Sequence, residues 1–294
     1  MTKLYNFKPI FFKKMWGVES WILSGNDMAN CIGTEKNNGE VISLKDLWKN
    51  IKIKSMRDDF PLLLKIITPI QNLSIQVHPD DRYAKKMEGC KGKDEFWYVL
   101  NNKNNMKIIN GHSAISKNEF IKYVNNDNIE QIVSYETVKK GDCIQINAGT
   151  VHSLGKGVEV LEVQQSNSVT YRIYDYKRID TEKCRDLNLK CGLKAINYPS
   201  VHNSIINSNK LLNGFKSIIL EKNNQYTVKF YSLYGNNCEK IRLNTFCVIY
   251  VLEGEGFINS NNLHKSECVL VMFEEDQYIT IGGQIKFLLI YCPN

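Results

Sequence analysis

The chain has 294 residues, 43% of them hydrophobic, with 38 Lys and Arg against 31 Asp and Glu for a formal net charge of +7. That is room for one large or two medium domains with a buried core, which excludes general disorder. The charges are mixed along the chain rather than gathered into the basic stripe that nucleic acid requires. No apolar run approaches the ~20 residues of a membrane helix.

The opening MTKLYNFKPIFFKKMWG lacks a small-residue cleavage site and does not read as a signal peptide. Residues 1–60 read as an N-terminal elaboration with one short strand, Glu19–Leu23, and a polar loop from Asn26 to Glu40. Ser43 followed by Asp46 marks a helix start, with Leu44, Leu47 and Trp48 facing inward and the helix ending before Arg57. From Phe60 the texture changes to short strands. The first is Pro61–Ile67, and the second alternates Leu73, Ile75 and Val77 up to Pro79, which cannot donate to a sheet ladder. A helical segment, Asp80–Met87, leads to a strand Glu95–Leu100, and Met106–Ile109 is expected to close a hairpin with it through the turn 101–105. Ser116 caps a helix to about Asn125, and Asp127 another through Ser134. Strands Asp142–Ile146, Glu159–Gln165 and Val169–Tyr174 follow, then a helix Asp180–Leu189 and a polar linker 197–213.

The remaining residues give Tyr226–Leu233, Phe246–Leu252, Cys268–Phe273, Tyr278–Ile281 and Ile285–Ile290, evenly spaced short strands of an all-β sandwich or barrel. The expectation is a mainly β protein of two successive β-rich halves, divided as 1–196 and 197–294, with short helices decorating the first. Nine cysteines, odd in number and nowhere spaced as Cys-x-x-Cys, fit a reducing, cytoplasmic setting and speak against a thiolate zinc site.

One half carries a polar constellation. Gln76 and His78 lie two apart on a strand and so share a face. Glu95 stands at the mouth of the next strand, and the turn Asn147-Ala148-Gly149 places His152 at the start of another. Each histidine alone is an ordinary core or surface residue. Together, two nitrogens and two oxygens, one of them anionic, suit Zn²⁺ with an exchangeable ligand, and would also accept Mn²⁺, Fe²⁺ or Co²⁺.

The blocks QVHPDD, GKDEFWYV, NAGTVHSLGKG and the run from Leu161 through Thr170-Tyr171-Arg172-Ile173-Tyr174-Asp175-Tyr176, in that order, resemble type I mannose-6-phosphate isomerase in its short bacterial form. The resemblance runs from about Phe11 through Leu189, and more loosely beyond. It implies two cupin-like jelly-roll barrels in tandem, one zinc in the first barrel held by Gln76, His78, Glu95 and His152, and a second barrel without ligands. It also implies Arg172, Lys93 and Glu162 as catalytic residues. The chain departs from the family pattern at Asn147, where Pro is usual, at Ser153, where Ala is common, and at Leu154, where longer members carry Tyr. The segment between Gly17 and Glu19 is also shorter than usual.

The implied reaction interconverts mannose 6-phosphate and fructose 6-phosphate through an enediol(ate), with Lys93 or Glu162 moving the proton and Arg172 steadying developing charge. The sugar phosphate is the expected partner, its phosphate met by Arg172, Lys177 and Arg178; the oligomeric state stays open. Two other readings are weighed: a metal-bearing cupin that binds a sugar phosphate without turnover, as sensor or assembly partner, and an iron cupin dioxygenase, against which Gln76 and the Arg172 block argue.

Overall fold

The computed structural model describes residues 2–50, 59–102, 105–180, 183–212, 216–235, 237–243, 245–273 and 277–293. Strands dominate, with five short α-helices among the described residues. Contacts divide the chain into two compact units: Met1–Ile10 with Trp21–Leu62 and Asn207–Asn294, and Phe11–Ser20 with Leu63–Ile206.

The second of these units carries the polar constellation. It contains a seven-stranded sheet in the order 206–207, 142–146, 95–102, 158–165, 62–69, 17–23, 10–14. A five-stranded sheet runs in the order 133–137, 107–112, 152–153, 75–77, 171–174. The inner faces of both sheets contribute to one apolar core: Ile67, Trp97, Val99, Ile144, Ile146, Val158 and Val160 from the larger, Ile108 from the smaller, with Leu154 just beyond its central strand. Burying each such side chain is worth about 1.5–3 kcal/mol. On the outer face of the smaller sheet Ile75, Val77, Ile109 and Tyr171 pack against Phe120 of the helix Lys117–Asn125 and against the helix Leu189–Ala195. Because strand side chains alternate, Gln76 between Ile75 and Val77 is turned the other way, inward.

Several local expectations hold. Ser43 Oγ accepts from Asp46 N (3.1 Å) and donates to Asp46 Oδ2, and Leu44, Leu47 and Trp48 are buried on the helix Leu44–Asn50. The expected end of that helix before Arg57 falls outside the described residues. The helical segment expected over Asp80–Met87 is the helix Asp81–Glu88, with Asp80 as a cap the sequence reading did not name, accepting from Tyr83 N; Ser116 caps Lys117–Asn125 through Glu119 N as expected.

Others are overturned. The strands Glu95–Asn102 and Lys107–His112 form no hairpin: the first pairs with 142–146 and 158–165 and the second with 133–137 and 152–153, so the turn between them crosses from one sheet to the other. Asp127 is not a cap; it takes φ +59, and only a single 3₁₀ turn, Ile129–Gln131, precedes the strand Val133–Thr137. The segment read as a helix from Asp180 begins as a two-stranded ladder, Ile179–Asp180 with Lys183–Cys184, and the helix starts only at Leu189.

Among its described residues the other unit contains a ten-stranded sheet with the path 217–222, 227–233, 277–291, 246–258, 268–272, 3–7, 32–35, 41–43; off this path 238–243 pairs with 277–291 and 261–263 with 246–258. The N-terminal stretch is thus not a loop-rich elaboration of the first half. Lys3–Phe7 pairs with 268–272 on one side and with Ile32–Glu35 on the other, burying Leu4 and Tyr5. This differs from the expected 1–196 and 197–294 partition in taking residues 1–10 and 21–62 to the C-terminal strands. The expected strands Tyr278–Ile281 and Ile285–Ile290 are one strand, Gln277–Tyr291, running through Gly282 and Gly283. At Gly283 φ is +114 and an added Cβ would lie 2.6 Å from Gly256 Cα, so only glycine lets the strand continue there.

Candidate metal centre and active site

Both sheets of the 11–20/63–206 unit contribute to the constellation. From the smaller sheet, His152 lies directly across from Gln76, and Gln76 directly across from Arg172, making one row over three adjacent strands. His78 follows the strand Ile75–Val77. From the larger sheet come Glu95 and Trp97, opposite Gln164 and Glu162 respectively. Lys65 stands on the strand Leu62–Pro69.

His78, Glu95 and His152 are all buried, and one ligand atom from each lies within 4.8 Å of the others. The two imidazole rings sit 4.7 Å apart, so both histidines face one point. Each is held from behind by a backbone carbonyl: His78 Nδ1 lies 3.0 Å from Val169 O and His152 Nδ1 2.9 Å from Thr150 O. A carbonyl can only accept, so both Nδ1 atoms carry the proton and both Nε2 atoms present a lone pair inward. Burial first, and then the Lys93 ammonium, push His78 down to about 3. Burial lowers His152 as well, against the opposing pull of Glu95, so both rings are neutral at pH 7.

Glu95 is ionised. Burial opposes its charge, but the Lys93 ammonium outweighs that and holds the carboxyl well below the usual range. Its Oε1 lies 2.7 Å from Lys93 Nζ and 3.0 Å from His78 Nε2; its Oε2, 3.7 Å from His152 Nε2, is buried without a hydrogen-bond donor among the described residues. Acceptors thus converge on one another, two imidazole lone pairs and a carboxylate, and this donor set fits a divalent cation. Gln76 Nε2 lies 3.3 Å from His152 Nε2. A half-turn of the amide would present its oxygen to the same point, adding the fourth ligand.

Lys93 is buried, 2.7 Å from Glu95 and 3.2 Å from His78 Nε2, and is thus no solvated surface lysine. Glu162 accepts from Trp97 Nε1 (3.0 Å) and Lys65 Nζ (3.1 Å). Burial, with the nearby Glu95 charge, pushes its carboxyl upward. Lys65 is the residue that sequence reading passed over. Its ammonium is buried, donating to Gln164 Oε1 at 2.7 Å, with Glu19 Oε2 at 4.0 Å. Burial disfavours its charge, yet Glu162, Glu19 and Glu95 together raise its pKa. Both pKa values rise, that of Lys65 because several carboxylates face it and that of Glu162 because burial and the Glu95 anion oppose its charge. The available signal was a lone charge inside the apolar run LLLKII.

Arg172 is half-buried on the same row as Gln76, and among the described residues no carboxylate lies within ion-pair distance of its guanidinium. Burial and the neighbouring Arg185 lower its pKa. The other two phosphate candidates are engaged elsewhere. Lys177 is exposed and pairs with Asp127. Arg178 pairs with Asp175, donates to Asn72 O at 2.7 Å and lies over the Tyr176 ring. Of the departures, Leu154 is fully buried in the core, and Asn147 donates through Nδ2 to Asn203 Oδ1 at 2.9 Å, securing its turn.

Residues 12–140 match the family model for the phosphomannose isomerase type I catalytic domain. Mannose-6-phosphate isomerase ManA of Bacillus subtilis is 32% identical over 270 residues, 85% of each chain. The chain belongs to the type I phosphomannose isomerase family. The mannose-6-phosphate isomerase of Streptococcus mutans is 34% identical over 200 residues, 68% of this chain and 63% of that one. In three dimensions the chain is similar to the crystal structure of the Bacillus subtilis mannose 6-phosphate isomerase: TM-score 0.82 at 25% identity, covering 99% of this chain and all of the other. The structure of a candidate mannosephosphate isomerase from Archaeoglobus fulgidus, 17% identical, shares the fold with a TM-score of 0.78 over 99% of this chain and 98% of that one.

Proposed function

We propose that this chain is a zinc-dependent mannose-6-phosphate isomerase. In this reading a single Zn²⁺ is held by Gln76, His78, Glu95 and His152, with Mn²⁺, Fe²⁺ or Co²⁺ as substitutes, and the substrate is a sugar phosphate that becomes fructose 6-phosphate. The observation that carries it is the buried convergence of His78, Glu95 and His152, with Glu95 Oε2 met by no donor among the described residues, in a member of this family. The same reading takes the two strand-rich units as cupin-like jelly rolls; the two facing sheets of the 63–206 portion support this for the metal-bearing one. The remaining strands carry an apolar interior, Cys247, Ile249, Val251 and Phe287 among its residues.

Bound there, a divalent cation supplies Lewis-acid stabilisation to oxygens at C1 and C2. The protein's own groups supply the rest. Lys93 Nζ, held by Glu95, carries a proton beside the reacting carbons and can deliver or recover it. Glu162, its carboxyl pushed upward and its oxygens aimed by Lys65 and Trp97, is the second group able to hold a proton at Oε. Arg172, with no carboxylate at ion-pair distance among the described residues, is available to meet the phosphate or a developing oxyanion. Lys177 and Arg178 would have to leave Asp127 and Asp175 to assist it.

The test is metal analysis and a coupled fructose 6-phosphate assay on one preparation, with and without chelator. Wild type should turn over and lose activity on chelation. His78→Ala and Glu95→Ala should lose both metal and turnover, while Arg172→Ala should keep the metal and lose at least about a hundredfold in kcat/KM, roughly 2.7 kcal/mol of transition-state stabilisation. Turnover without bound metal, or bound metal without turnover, would each refute the proposal.

A further inference from the structure

We infer that Asn167 is a positioning residue that sets the geometry of Lys93 and His78 together, an inference that rests on the proposed isomerase reading. Asn167 lies on the loop 166–170, half-buried, and touches neither the convergence point nor Lys93 directly. Its side-chain amide donates to Gly92 O and to Lys91 O (3.1 Å), the two carbonyls immediately before Lys93. Its Oδ1 accepts from Val169 N at 3.1 Å. Val169 O is the carbonyl 3.0 Å from His78 Nδ1 that fixes which imidazole nitrogen faces inward. One side chain therefore braces the backbone behind the buried ammonium and the backbone behind a candidate metal ligand.

The rest of the neighbourhood allows little compensation. Lys93 N donates to Pro79 O and Gly92 N to Asp81 Oδ1, so the turn 91–93 lies flat on the segment that follows His78. A Cβ at Gly92 would come within 2.4 Å of Asp81 N and 2.5 Å of Asp80 C, which leaves that turn no alternative path. Asn167 is itself held at both ends: its N donates to Gln165 O at 2.7 Å, and its O accepts from Gln164 Nε2 at 2.6 Å. The other end of Gln164 accepts from Lys65 Nζ at 2.7 Å. The clasp thus joins the turn bearing Lys93, the carbonyl orienting His78 and the lysine bonded to Glu162. Partners that orient a metal ligand typically alter metal affinity or activity by 10–100-fold when removed.

The experiment uses the full chain loaded with Co²⁺, whose visible absorption reports ligand geometry, and two variants. Asn167→Ala removes all three contacts; Asn167→Asp keeps the acceptor for Val169 N and loses both donors. Asn167→Ala is expected to lower kcat by about tenfold or more while KM changes less than about threefold. It should also alter the Co²⁺ spectrum and weaken Co²⁺ binding about tenfold. Asn167→Asp, with the His78 side of the clasp intact, should keep the wild-type spectrum and still lose kcat. Thermal unfolding of both should stay within a few degrees of wild type. A wild-type kcat and spectrum in Asn167→Ala, or a kcat loss that only tracks a lost folded fraction, would overturn the assignment. If the wild-type chain fails to isomerise the sugar phosphate, the isomerase reading falls, and the Co²⁺ spectra of the two variants still decide the clasp.

Discussion

Lys65 shows how much a single buried side chain governs in this interior. Its ammonium is buried, and removing it would leave Glu162 the Trp97 indole N–H as its hydrogen-bond donor among the described residues. Breaking a buried pair from one side costs about 3–5 kcal/mol, whereas replacing both partners is close to neutral. Lys65→Met should therefore lower unfolding free energy in urea by about that amount, and adding Glu162→Gln, whose amide oxygen can still accept from Trp97, should restore most of it. A double variant as unstable as the single would mean that Lys65 acts through its stem packing rather than its charge. At this scale the sequence was readable where chemistry is carried by residue type and local spacing. Gln76 and His78 share a face by the two-residue period, and they do so beside His152. Lys65 was not readable, because a lysine in an apolar run looks like a strand-edge residue until the strand proves central and its charge proves matched. Nor could sequence tell that Arg178 is bonded to Asp175, a choice made by the short turn 175–178 rather than by composition.

Elements were legible where a local signal decides them and illegible where pairing does. The caps at Asp80 and Ser116 are satisfied within three residues, so their helices form where the side chains say. The strand Lys107–His112 finds its partners more than twenty residues away, and no turn signal can announce that. The N-terminal strand Lys3–Phe7 is the extreme case, since one of its partners lies more than 260 residues along the chain. Its placement rests partly on Glu267, which accepts from Asn6 Nδ2 (2.7 Å), Lys36 Nζ (2.6 Å) and His264 N (2.9 Å) and so joins that strand to two turns. Burial raises this carboxyl, but the Lys36, His264 and Asn6 donors outweigh it and lower the pKa below its ordinary 4.5. A carboxyl depressed on folding adds stability above its unfolded value, and that stability disappears as pH falls through the folded one. Glu267→Gln should thus cost about 1–2 kcal/mol at pH 7, and the difference from wild type should shrink as pH drops below 4.5. Urea midpoints at pH 7 and in acid check this; a gap that stays constant would show that the depressed carboxyl is not the cause.

For the molecule as a whole, the polar chemistry and the apolar bulk are divided between units with separate cores. Residues 63–206 enclose the His78–Glu95–His152 convergence, an arrangement of like-ended acceptors that folding alone does not favour and a cation would offset. Residues 207–294 with the N-terminal strands bury an apolar interior, with Leu4, Ile249, Val269 and Leu289 among its members. A ligand stabilises only the fold that binds it, by RT ln(1 + [L]/Kd), about 2.7 kcal/mol at a hundredfold excess over Kd. Stripping the metal should therefore lower protection unevenly. In hydrogen exchange with and without chelator, the amides of Trp97, Ile144 and Val160 should lose protection by about two orders of magnitude, while those of Ile249, Leu270 and Leu289 keep theirs. Equal loss in both sets would mean that the two units open as one and that the metal supports the entire chain; no loss in either would remove the metal from the account of stability altogether.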